Sequence, residues 1–560
     1  MRQRLIACLA TCVLTASAVA FARMPSATRA GNYPDQPGKS PRTATPIKHL
    51  VVIFQENVSF DHYFGTYPHA LNAAAEPRFE ASSSTPKING LTRDLLLHNP
   101  NAANAANGTG AINPFRLSRT QAATADQDHN YAAEQLAFNR GAMDLFPKYT
   151  GSGETLPGAP AVHNGHGQVM GYYDGNTVTA LWNYAQHFAM SDNSYGTTFG
   201  PSSPGAINLV SGQTNGVIQT LNGAADEISD GNGGLTLIND ADPIDDVCSL
   251  PSGGQARLGG RNIGDMLNQQ NITWGFFEGG FDLSQVNADG STGCARDHTS
   301  RVTGVRKTDY LAHHEPFQYY RSTANPTHAR PASVAMIGKS GDAANHQYDL
   351  SDFYAAVKAG NMPAVSFLKA PGYQDGHAGY SDPLDEQQFI VQVMNFLQRS
   401  PQWRDTAVVI AYDDSDGWYD HQAAPQEVNG SQTTQDALSG TGLCKGAATL
   451  TGINPQTAHA QGRCGYGPRL PLLVISPWAR SNMVDHALTD QTSIMRFVED
   501  NWLHGRRLGG GSFDEVAGSL NHMFDFKAPS PRDRRLFLDE QTGEPVSRLG
   551  HQPAPHQQGT

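Results

Sequence analysis

The sequence predicts an α/β fold with a largely parallel central sheet, because two kinds of pattern alternate along it. Apolar runs typical of strands that are buried on both faces recur at long intervals. They cover 50–54, 334–337, 364–368, 406–412 and 472–475. Helical patterns lie between these runs, most clearly over 385–403 and 489–503. Strands that alternate with helices in this way favour parallel pairing, with the helices packed on the sheet.

The first 22 residues have the pattern of a secretory signal peptide. Arg2 and Arg4 precede an apolar stretch over 5–19, and small residues at 20 and 22 offer a cleavage site. The apolar stretch is short for a membrane-spanning helix, so a signal peptide is favoured over an anchor. We therefore expect a secreted or periplasmic protein in which residues 23–45, rich in Pro, Ser and Thr, form a flexible segment.

One large domain is expected over 46–524, followed by a C-terminal tail over 525–560. The stretch 215–330 has little apolar periodicity and is rich in Gly, Asp and Asn. It is therefore expected to be an insertion that covers one edge of the core. The tail is rich in Pro, Gln, Arg and His, which predicts a peripheral strap or a partly disordered end.

Net charge and cysteine content limit which kinds of partner and which cellular compartment fit this chain. The net charge of −13 argues against a nucleic-acid partner, and an anionic substrate would need a local cation to offset the repulsion. Two of the six cysteines lie in the signal peptide, and four in an exported chain indicate two disulfides. Three connectivities are open, of which nearest-neighbour pairing is preferred: Cys248–Cys294 and Cys444–Cys464.

Acidic and amide side chains follow two of the predicted strands at the point where each strand ends. Glu56 and Asn57 come after the run 50–54, and Asp413 and Asp414 come after 406–412. The carboxyl ends of parallel strands meet at one edge of a sheet, where clustered carboxylates repel one another unless a cation is present. The sequence thus predicts one divalent metal ion of unknown identity. The alternative is that the aspartates are solvated turn residues.

The turn "GPSSPG" at 200–205 leads into a segment that could start a helix. A hydroxyl at a helix N-terminus lies near free backbone N–H groups, which could hold phosphate oxygens while the hydroxyl attacks. Ser202 and Ser203 are both candidates. Taken alone, either serine could equally be an ordinary N-cap residue.

Histidine is the third candidate type, with 21 in the chain. His129 precedes an amphipathic pattern, His313 and His314 are adjacent, and His377 lies in a Gly-rich loop. A neutral imidazole can bind a metal, whereas a protonated one can bind phosphate or protonate a leaving oxygen. Structural roles are the alternative for each. The sequence has no HExxH, GxSxG, Walker or dinucleotide-binding motif, which argues against the corresponding enzyme classes.

Five segments in order resemble the bacterial phospholipase C and acid phosphatase family of phosphoesterases, a branch of the alkaline phosphatase superfamily. They are "HLVVIFQENVSFDHYFG", "MSDNSYGTTFGPSSPGAINLVSG", "DGHAGYSDPLDEQQFIVQVMNFLQRSPQW", "VVIAYDDSDGWYDH" and "GYGPRLPLLVISPWARSNMVDH". Together they span about residues 47 to 505. The resemblance implies a three-layer α/β/α sandwich, alkaline-phosphatase-like, with one active centre at the strand ends.

The resemblance also implies roles for single residues. The metal ligands would be Glu56, Asn57, Asp413 and Asp414, the nucleophile Ser202, and the phosphate-binding or proton-donating groups His129, His313, His314 and His377. Family members often carry Asp-Glu where this chain has Asp413–Asp414. They often carry Thr-Asn after Gly-Pro, which leaves the attacking hydroxyl open by one residue here. Ser203 precedes Pro204, which favours an extended backbone and a capping role, so Ser202 is the preferred nucleophile.

The function implied is a secreted metal-dependent phosphoric ester hydrolase that works through a phosphoseryl intermediate. The substrate would be a phosphate ester or a phospholipid head group, with acid phosphatase and phospholipase C types both open. A phospholipase would make transient contact with a membrane surface and need a choline pocket, often aromatic; Tyr172, Tyr173, Trp418 and Tyr419 lie near the motifs. No obligate protein partner is expected. The alternative is a catalytically inactive secreted binding protein on the same fold.

Overall fold

The computed structural model describes residues 42–154, 165–223, 225–230, 233–425, 464–527 and 534–546. The predicted signal peptide and most of the segment 23–45 lie outside these residues, as does Cys444. The predicted disulfide Cys248–Cys294 is confirmed, whereas the pair Cys444–Cys464 stays a prediction. No helix in the described ranges has both the length and the apolar character that crossing a membrane requires.

An eight-stranded, mostly parallel sheet forms the centre of the fold, which confirms the predicted α/β class. Its strands are β1 (His49–Gln55), β2 (Ala189–Ser191), β3 (Trp274–Glu278), β4 (Gln347–Asp349), β5 (Val365–Lys369), β6 (Thr406–Tyr412), β7 (Leu472–Ile475) and β8 (Met483–Asp485). Their order across the sheet is β4-β3-β5-β1-β6-β7-β2-β8. Of these strands, β7 runs antiparallel to both of its neighbours.

Helices separate most of these strands along the chain. The main ones are α1 (Phe60–Phe64), α2 (Tyr131–Phe138), α3 (Thr179–His187), α4 (Ser202–Ser211), α5 (Ile263–Gln269), α6 (Leu350–Lys358), α7 (Pro383–Arg399) and α8 (Thr492–Trp502). Shorter helices cover Arg93–Leu97, Pro100–Ala103 and Phe146–Tyr149. A small three-stranded sheet has Gln255–Leu258 in its centre, between Val217–Leu221 and Asp242–Pro243. Four further sheets in the described residues have two strands each: Glu227–Ser229 with Leu235–Leu237, Asp297–Thr299 with Arg306–Thr308, Phe115–Arg116 with Gly171–Tyr172, and Ser194–Tyr195 with Thr489–Asp490.

The register of the central strands brings the two predicted acidic segments to one edge of the sheet. Strand β1 lies between β5 and β6 and is parallel to both, and Gln55 is paired with Tyr412. The residues that follow, Glu56 and Asp413, therefore leave the sheet side by side. The Asp413 backbone N–H donates to the Gln55 carbonyl at 3.1 Å. This edge also receives Lys369, the last residue of β5.

Two predicted features of the secondary structure are wrong. The run 334–337 is a short 3₁₀ turn, Val334–Met336, with Val334 exposed, because four apolar residues without a buried environment do not make a strand. The stretch 215–330 is not wholly an edge insertion, since it contributes β3 to the central sheet. Strand β3 is aromatic rather than β-branched, and its Gly275 interrupts the pattern.

The predicted helices exist, with shifted bounds. Helix α7 begins at Pro383 because the Asp382 side chain accepts hydrogen bonds from the backbone N–H groups of Leu384 and Asp385. It ends before Pro401, where a 3₁₀ turn continues. Helix α8 begins at Thr492, after the short strand Thr489–Asp490, and the Asp490 side chain accepts a hydrogen bond from the Thr492 backbone N–H at 2.7 Å.

The described part of the C-terminal tail lies along α7. Amide side chains of the helix donate to backbone carbonyls of the tail, Asn395 to Leu538 at 2.8 Å and Gln398 to Leu536 at 2.9 Å. Leu538 itself is fully buried. Residues 534–546 therefore pack on α7, while the tail as a whole and the domain boundaries at 46 and 524 stay predictions.

Candidate active site

Ser202 is the first residue of α4, where the backbone N–H groups of the helix have no partner within the helix. The helix comes unusually close to the end of β6. A Cβ atom placed on Gly205 would lie 2.2 Å from the carbonyl oxygen of Asp413. The glycine therefore allows the start of α4 to meet the strand end that carries the acidic residues.

Three side-chain oxygens converge on the Ser202 hydroxyl. Its Oγ lies 2.9 Å from Glu56 Oε2, 3.2 Å from Asp414 Oδ2 and 3.3 Å from Asn57 Oδ1. All four side chains are buried. The structure thus brings the preferred serine together with three of the four metal ligands that the family resemblance implies.

Asp413, the fourth of these residues, holds the loop instead of contacting the serine. Its Oδ1 accepts hydrogen bonds from the backbone N–H groups of Asn57 at 2.9 Å and Asp414 at 2.7 Å. The first of these fixes Asn57 in the left-handed region, at φ 63°, which asparagine tolerates better than most residues. Its Oδ2 is buried and has no hydrogen-bond partner among the described residues.

Ser203 does not behave as predicted. It lies inside the first turn of α4, before Pro204, and the residue at the N-cap is Pro201. The Ser203 hydroxyl accepts a hydrogen bond from the Tyr319 hydroxyl at 3.2 Å. The predicted extended backbone and capping role of Ser203 are therefore wrong, because the helix starts two residues earlier than the proline rule suggests.

Lys369 is a buried cation beside these carboxylates that no pattern in the sequence revealed. Its Nζ contacts Glu56 Oε1. Burial lowers the pKa of Lys369, but Glu56, Asp413 and Asp375 outweigh it and raise the pKa above its ordinary value. The lysine is therefore charged, and it offsets part of the negative charge at the strand ends.

The remaining negative charge makes the site suited to a further cation. Burial and the neighbouring Asp413 raise the pKa values of both Glu56 and Asp414 well above the usual range, because Lys369 offsets only part of the buried negative charge. The unpartnered Asp413 Oδ2 is a further oxygen donor. Carboxylate and amide oxygens are the donors that hard divalent cations prefer, so the residues fit such an ion.

His129 lies on the other side of Asn57. Its Nδ1–H donates to the Gln127 carbonyl at 2.8 Å and lies 3.2 Å from Asp416 Oδ1, and its Nε2 lies 3.3 Å from Asn57 Nδ2. Burial lowers the pKa of His129, but Asp414, Asp416 and other acids outweigh it and raise the pKa well above the usual value. His129 is therefore held in its charged form.

A second group of potential metal ligands surrounds His129. One ligand atom each from Asp126, His129, His377 and Asp416 lies within 4.8 Å of the others. The Oδ2 atom of Asp416 is buried without a hydrogen-bond partner in the described part of the chain. The two aspartates were missed, although Asp416 follows Asp414 in the same acidic run and could have been suspected from it.

The other candidate histidines differ in their distance from the serine. His314 is buried, with Nδ1 3.5 Å from Glu56 Oε1. Burial and the nearby Lys369 charge lower its pKa well below the usual value, so the ring is neutral. His313 is partly exposed and lies 3.5 Å from Asp242 Oδ1 instead. Of the two, only His314 touches the residues around Ser202.

His377 lies behind His129, at 5.7 Å between ring centroids. Its Nδ1–H donates to the Ala378 carbonyl at 2.6 Å, which leaves Nε2 of the ring as an acceptor. Burial, together with the charges of His129 and Lys307, lowers the pKa of His377 to about 4. His377 is therefore a neutral ring close to a charged one.

Three of the four aromatic candidates for a choline pocket are buried and engaged in other contacts. Trp418 stacks on the His62 ring at 3.9 Å between centroids. The Tyr173 hydroxyl donates to the backbone carbonyl of Ala122, and the Tyr419 hydroxyl accepts from the Asn99 side chain. All three are buried, so they offer no open ring face to a ligand.

Comparison with known proteins identifies the family of this chain. Residues 47–503 match the model of the Phosphoesterase family. The chain is similar to the non-hemolytic phospholipase C of Pseudomonas aeruginosa, with 24% identity over 94% of this chain and 62% of the relative. It is also similar to phospholipase C A of Mycobacterium tuberculosis, with 23% identity over 88% of this chain and 80% of the relative.

Among solved structures, a protein in the alkaline phosphatase superfamily from Vibrio parahaemolyticus matches with 12% identity and a TM-score of 0.24, over 74% of this chain and 78% of that one. The chain spans 62% and 60% of the length of the phospholipases C from Pseudomonas aeruginosa and Burkholderia pseudomallei. The family model covers most of the chain. This protein therefore belongs to the Phosphoesterase family.

Proposed function

We propose that the protein is a secreted, metal-dependent phosphoric ester hydrolase whose nucleophile is Ser202. The observation that carries the proposal is the position of the Ser202 hydroxyl. It lies at the N-terminus of α4, and oxygens of Glu56, Asn57 and Asp414 lie within 3.3 Å of it. A nucleophile placed among potential metal ligands at the N-terminus of a helix suits attack on phosphorus.

The four residues Glu56, Asn57, Asp413 and Asp414 would hold one divalent ion, whose identity is left open. When bound, the ion would supply positive charge that lowers the pKa of the serine hydroxyl and neutralises a phosphate oxygen. Lys369 would balance the charge that remains on Glu56. The raised pKa values of Glu56 and Asp414 support this assignment, because they reveal an excess of buried negative charge.

Ser202 would form the bond to phosphorus while the bond to the alcohol oxygen breaks, and the proton lost by the serine would be matched by one gained by the leaving oxygen. His129 is the best-supported proton donor, since acidic neighbours keep it charged. Charged His129 Nε2 and Asn57 Nδ2 lie 3.3 Å apart and are both donors, so an anionic oxygen that faces both atoms would accept from each. Water would then release phosphate from the serine.

The neutral rings of His314 and His377 would complete the phosphate site. The Nε2 atom of His314 is buried and has no partner in the described part of the chain, and that of His377 is directed away from the Ala378 carbonyl. His314 Nε2 can donate one hydrogen bond to an equatorial oxygen, whereas His377 carries its proton on Nδ1 and would accept a hydrogen bond from a protonated phosphate oxygen at Nε2. His313, which lies 3.5 Å from Asp242 Oδ1, would act on the phosphate from a greater distance.

The substrate would be a phosphate ester or the head group of a phospholipid. Relatives named phospholipase C support the second, and a chain that acts on lipids would touch a membrane surface transiently. The buried aromatic side chains do not supply a choline pocket, because they are engaged in other contacts. An acid phosphatase activity therefore stays an alternative to phospholipase C activity. A catalytically inactive binding protein stays the alternative, although each implied ligand and the hydroxyl are present.

Hydrolysis of p-nitrophenyl phosphate and p-nitrophenyl phosphorylcholine, with and without chelator, tests the proposal. Wild type should release nitrophenol from at least one substrate and lose that activity with chelator. The S202A variant should be inactive, while S203A, the matched control one residue away, should keep most activity. Absence of turnover on both substrates with metal supplied would favour the binding protein, and an active S202A would remove the assigned nucleophile.

A further inference from the structure

Lys307 is a cation near the site to which the proposed mechanism gives no role. It lies on the short strand Arg306–Thr308 and is partly buried. Its Nζ lies 3.8 Å from the centroid of the Tyr380 ring. A Cβ atom placed on Gly372 would lie 2.9 Å from Lys307 Cγ, so the glycine leaves room for the lysine side chain to run inward.

Short contacts link Lys307 to both sides of the candidate site. The Tyr380 ring stacks on His377 at 4.4 Å between centroids, and His377 lies next to His129. The Tyr380 hydroxyl donates to Asp375 Oδ2 at 3.0 Å, and the Asp375 carbonyl accepts from the Glu56 backbone N–H. The lysine is thus one aromatic ring away from the phosphate-binding histidines.

The charge of Lys307 also acts on groups all around Ser202. It lowers the pKa values of His314, which lies beside Glu56, and of His377, which lies beside His129. Burial lowers the pKa of Lys307 itself, while several acids, among them Asp375 and Glu56, oppose that shift. These effects place the ammonium group within electrostatic range of the residues that surround the hydroxyl.

Lys307 differs from the other lysine of this region in having no carboxylate partner. Lys369 contacts Glu56, whereas Lys307 forms no ion pair with any residue in the described ranges of the chain. Its ammonium group contacts the face of an aromatic ring instead. A partly buried ammonium group without a counter-ion is well placed to accept an anionic ligand.

We propose that Lys307 is a substrate-binding residue that contacts a non-bridging phosphate oxygen and favours dianionic phosphomonoesters over phosphorylcholine esters. The inference rests on the proposed function and narrows its substrate class. A phosphomonoester carries a second negative charge above pH about 6, whereas a phosphodiester carries one charge. The lysine would repel a choline ammonium group, and it covers the Tyr380 face on which that group could rest.

Binding of inorganic phosphate tests the inference without requiring turnover. Isothermal titration with metal-loaded protein would compare S202A with S202A/K307M and with S202A/R306M. Arg306 is the matched control, because it is adjacent, exposed and already paired with Asp289 and Asp297. Loss of a charge-assisted hydrogen bond should weaken phosphate binding by about tenfold to a hundredfold in the K307M protein and by less than about twofold in the R306M protein.

The second readout is the ratio of kcat/KM for p-nitrophenyl phosphate to that for p-nitrophenyl phosphorylcholine, measured with Ser202 present. The K307M variant should lower this ratio by about tenfold or more, and K307R should retain most of it. Melting curves would show whether K307M is folded. If it is not, K307Q replaces it, and the same decrease in the ratio is expected. Unchanged phosphate binding and an unchanged ratio would overturn the inference, whereas turnover by S202A would overturn only the assigned nucleophile.

Discussion

Replacing Lys369 with methionine should destabilise the metal-free protein by about 3–5 kcal/mol, the usual cost of removing one partner of a buried ion pair. The side chains of Lys369 and Glu56 are 1% and 0% exposed, so water cannot replace the lost ammonium group. Asp413 and Asp375 also depend on this cation, because both contribute to its raised pKa. The unfolded state has no such cost, since all these groups are then solvated.

The assay is urea denaturation with chelator present, followed by circular dichroism. The matched control is K358M, because Lys358 lies at the exposed end of α6 and should change the unfolding free energy by less than about 0.5 kcal/mol. Adding E56Q to K369M should recover part of the loss, since the unpaired carboxylate is removed, with a coupling energy of about 1–3 kcal/mol. An unfolding free energy for K369M equal to that of wild type, or strict additivity in the cycle, would refute the buried ion pair.

Three further outcomes follow from other contacts. The D413N variant should lose bound metal by elemental analysis while keeping its far-UV spectrum, and full metal content would remove Asp413 from the ligand set. The S203A variant should lose about 1 kcal/mol of stability, because a single hydrogen bond from Tyr319 disappears, and should keep its activity. Burial raises the pKa of Glu386 to about 8, with Tyr63 and Tyr412 donating to it. The folded state therefore keeps a proton that the unfolded state loses above about pH 4.5, so the stability of the wild-type protein falls between about pH 4.5 and about pH 8. The stability of E386Q relative to wild type should therefore rise by about 4 kcal/mol from pH 5 to pH 8. A stability difference between the two proteins that does not change with pH would contradict the raised pKa.

The strand-end residues were predictable because two strong signals coincide in them. Buried strands are readable as apolar runs, and the ends of parallel strands must meet, so the sequence alone suffices to place Glu56 and Asp413 side by side. The serine was found because its turn contains unusual residues at the start of a helix. Its neighbour Ser203 was misjudged, since the bias of a residue before proline is only a tendency, and the helix geometry prevailed.

The lysines were not predictable, for a different physical reason. Lys369 ends an otherwise apolar strand, and nothing local indicates that its side chain is buried beside a carboxylate from another strand. Lys307 lies on a hairpin outside the five segments that resemble the family, and its side chain lies over the Tyr380 ring. Strand β3 was missed because aromatic residues and a glycine replace the β-branched residues on which strand prediction depends. Long-range contacts of this kind leave no periodic pattern in the chain.

The measurement that tests the account most directly is the location of the phosphoryl group on the enzyme during turnover. Metal-loaded protein is mixed with p-nitrophenyl phosphate, quenched in acid, digested and sequenced by fragmentation mass spectrometry across residues 200–205. The account predicts phosphate on Ser202, in wild type and in S203A, and none in S202A. Phosphate on Ser203, or turnover at wild-type rate by S202A, would contradict it.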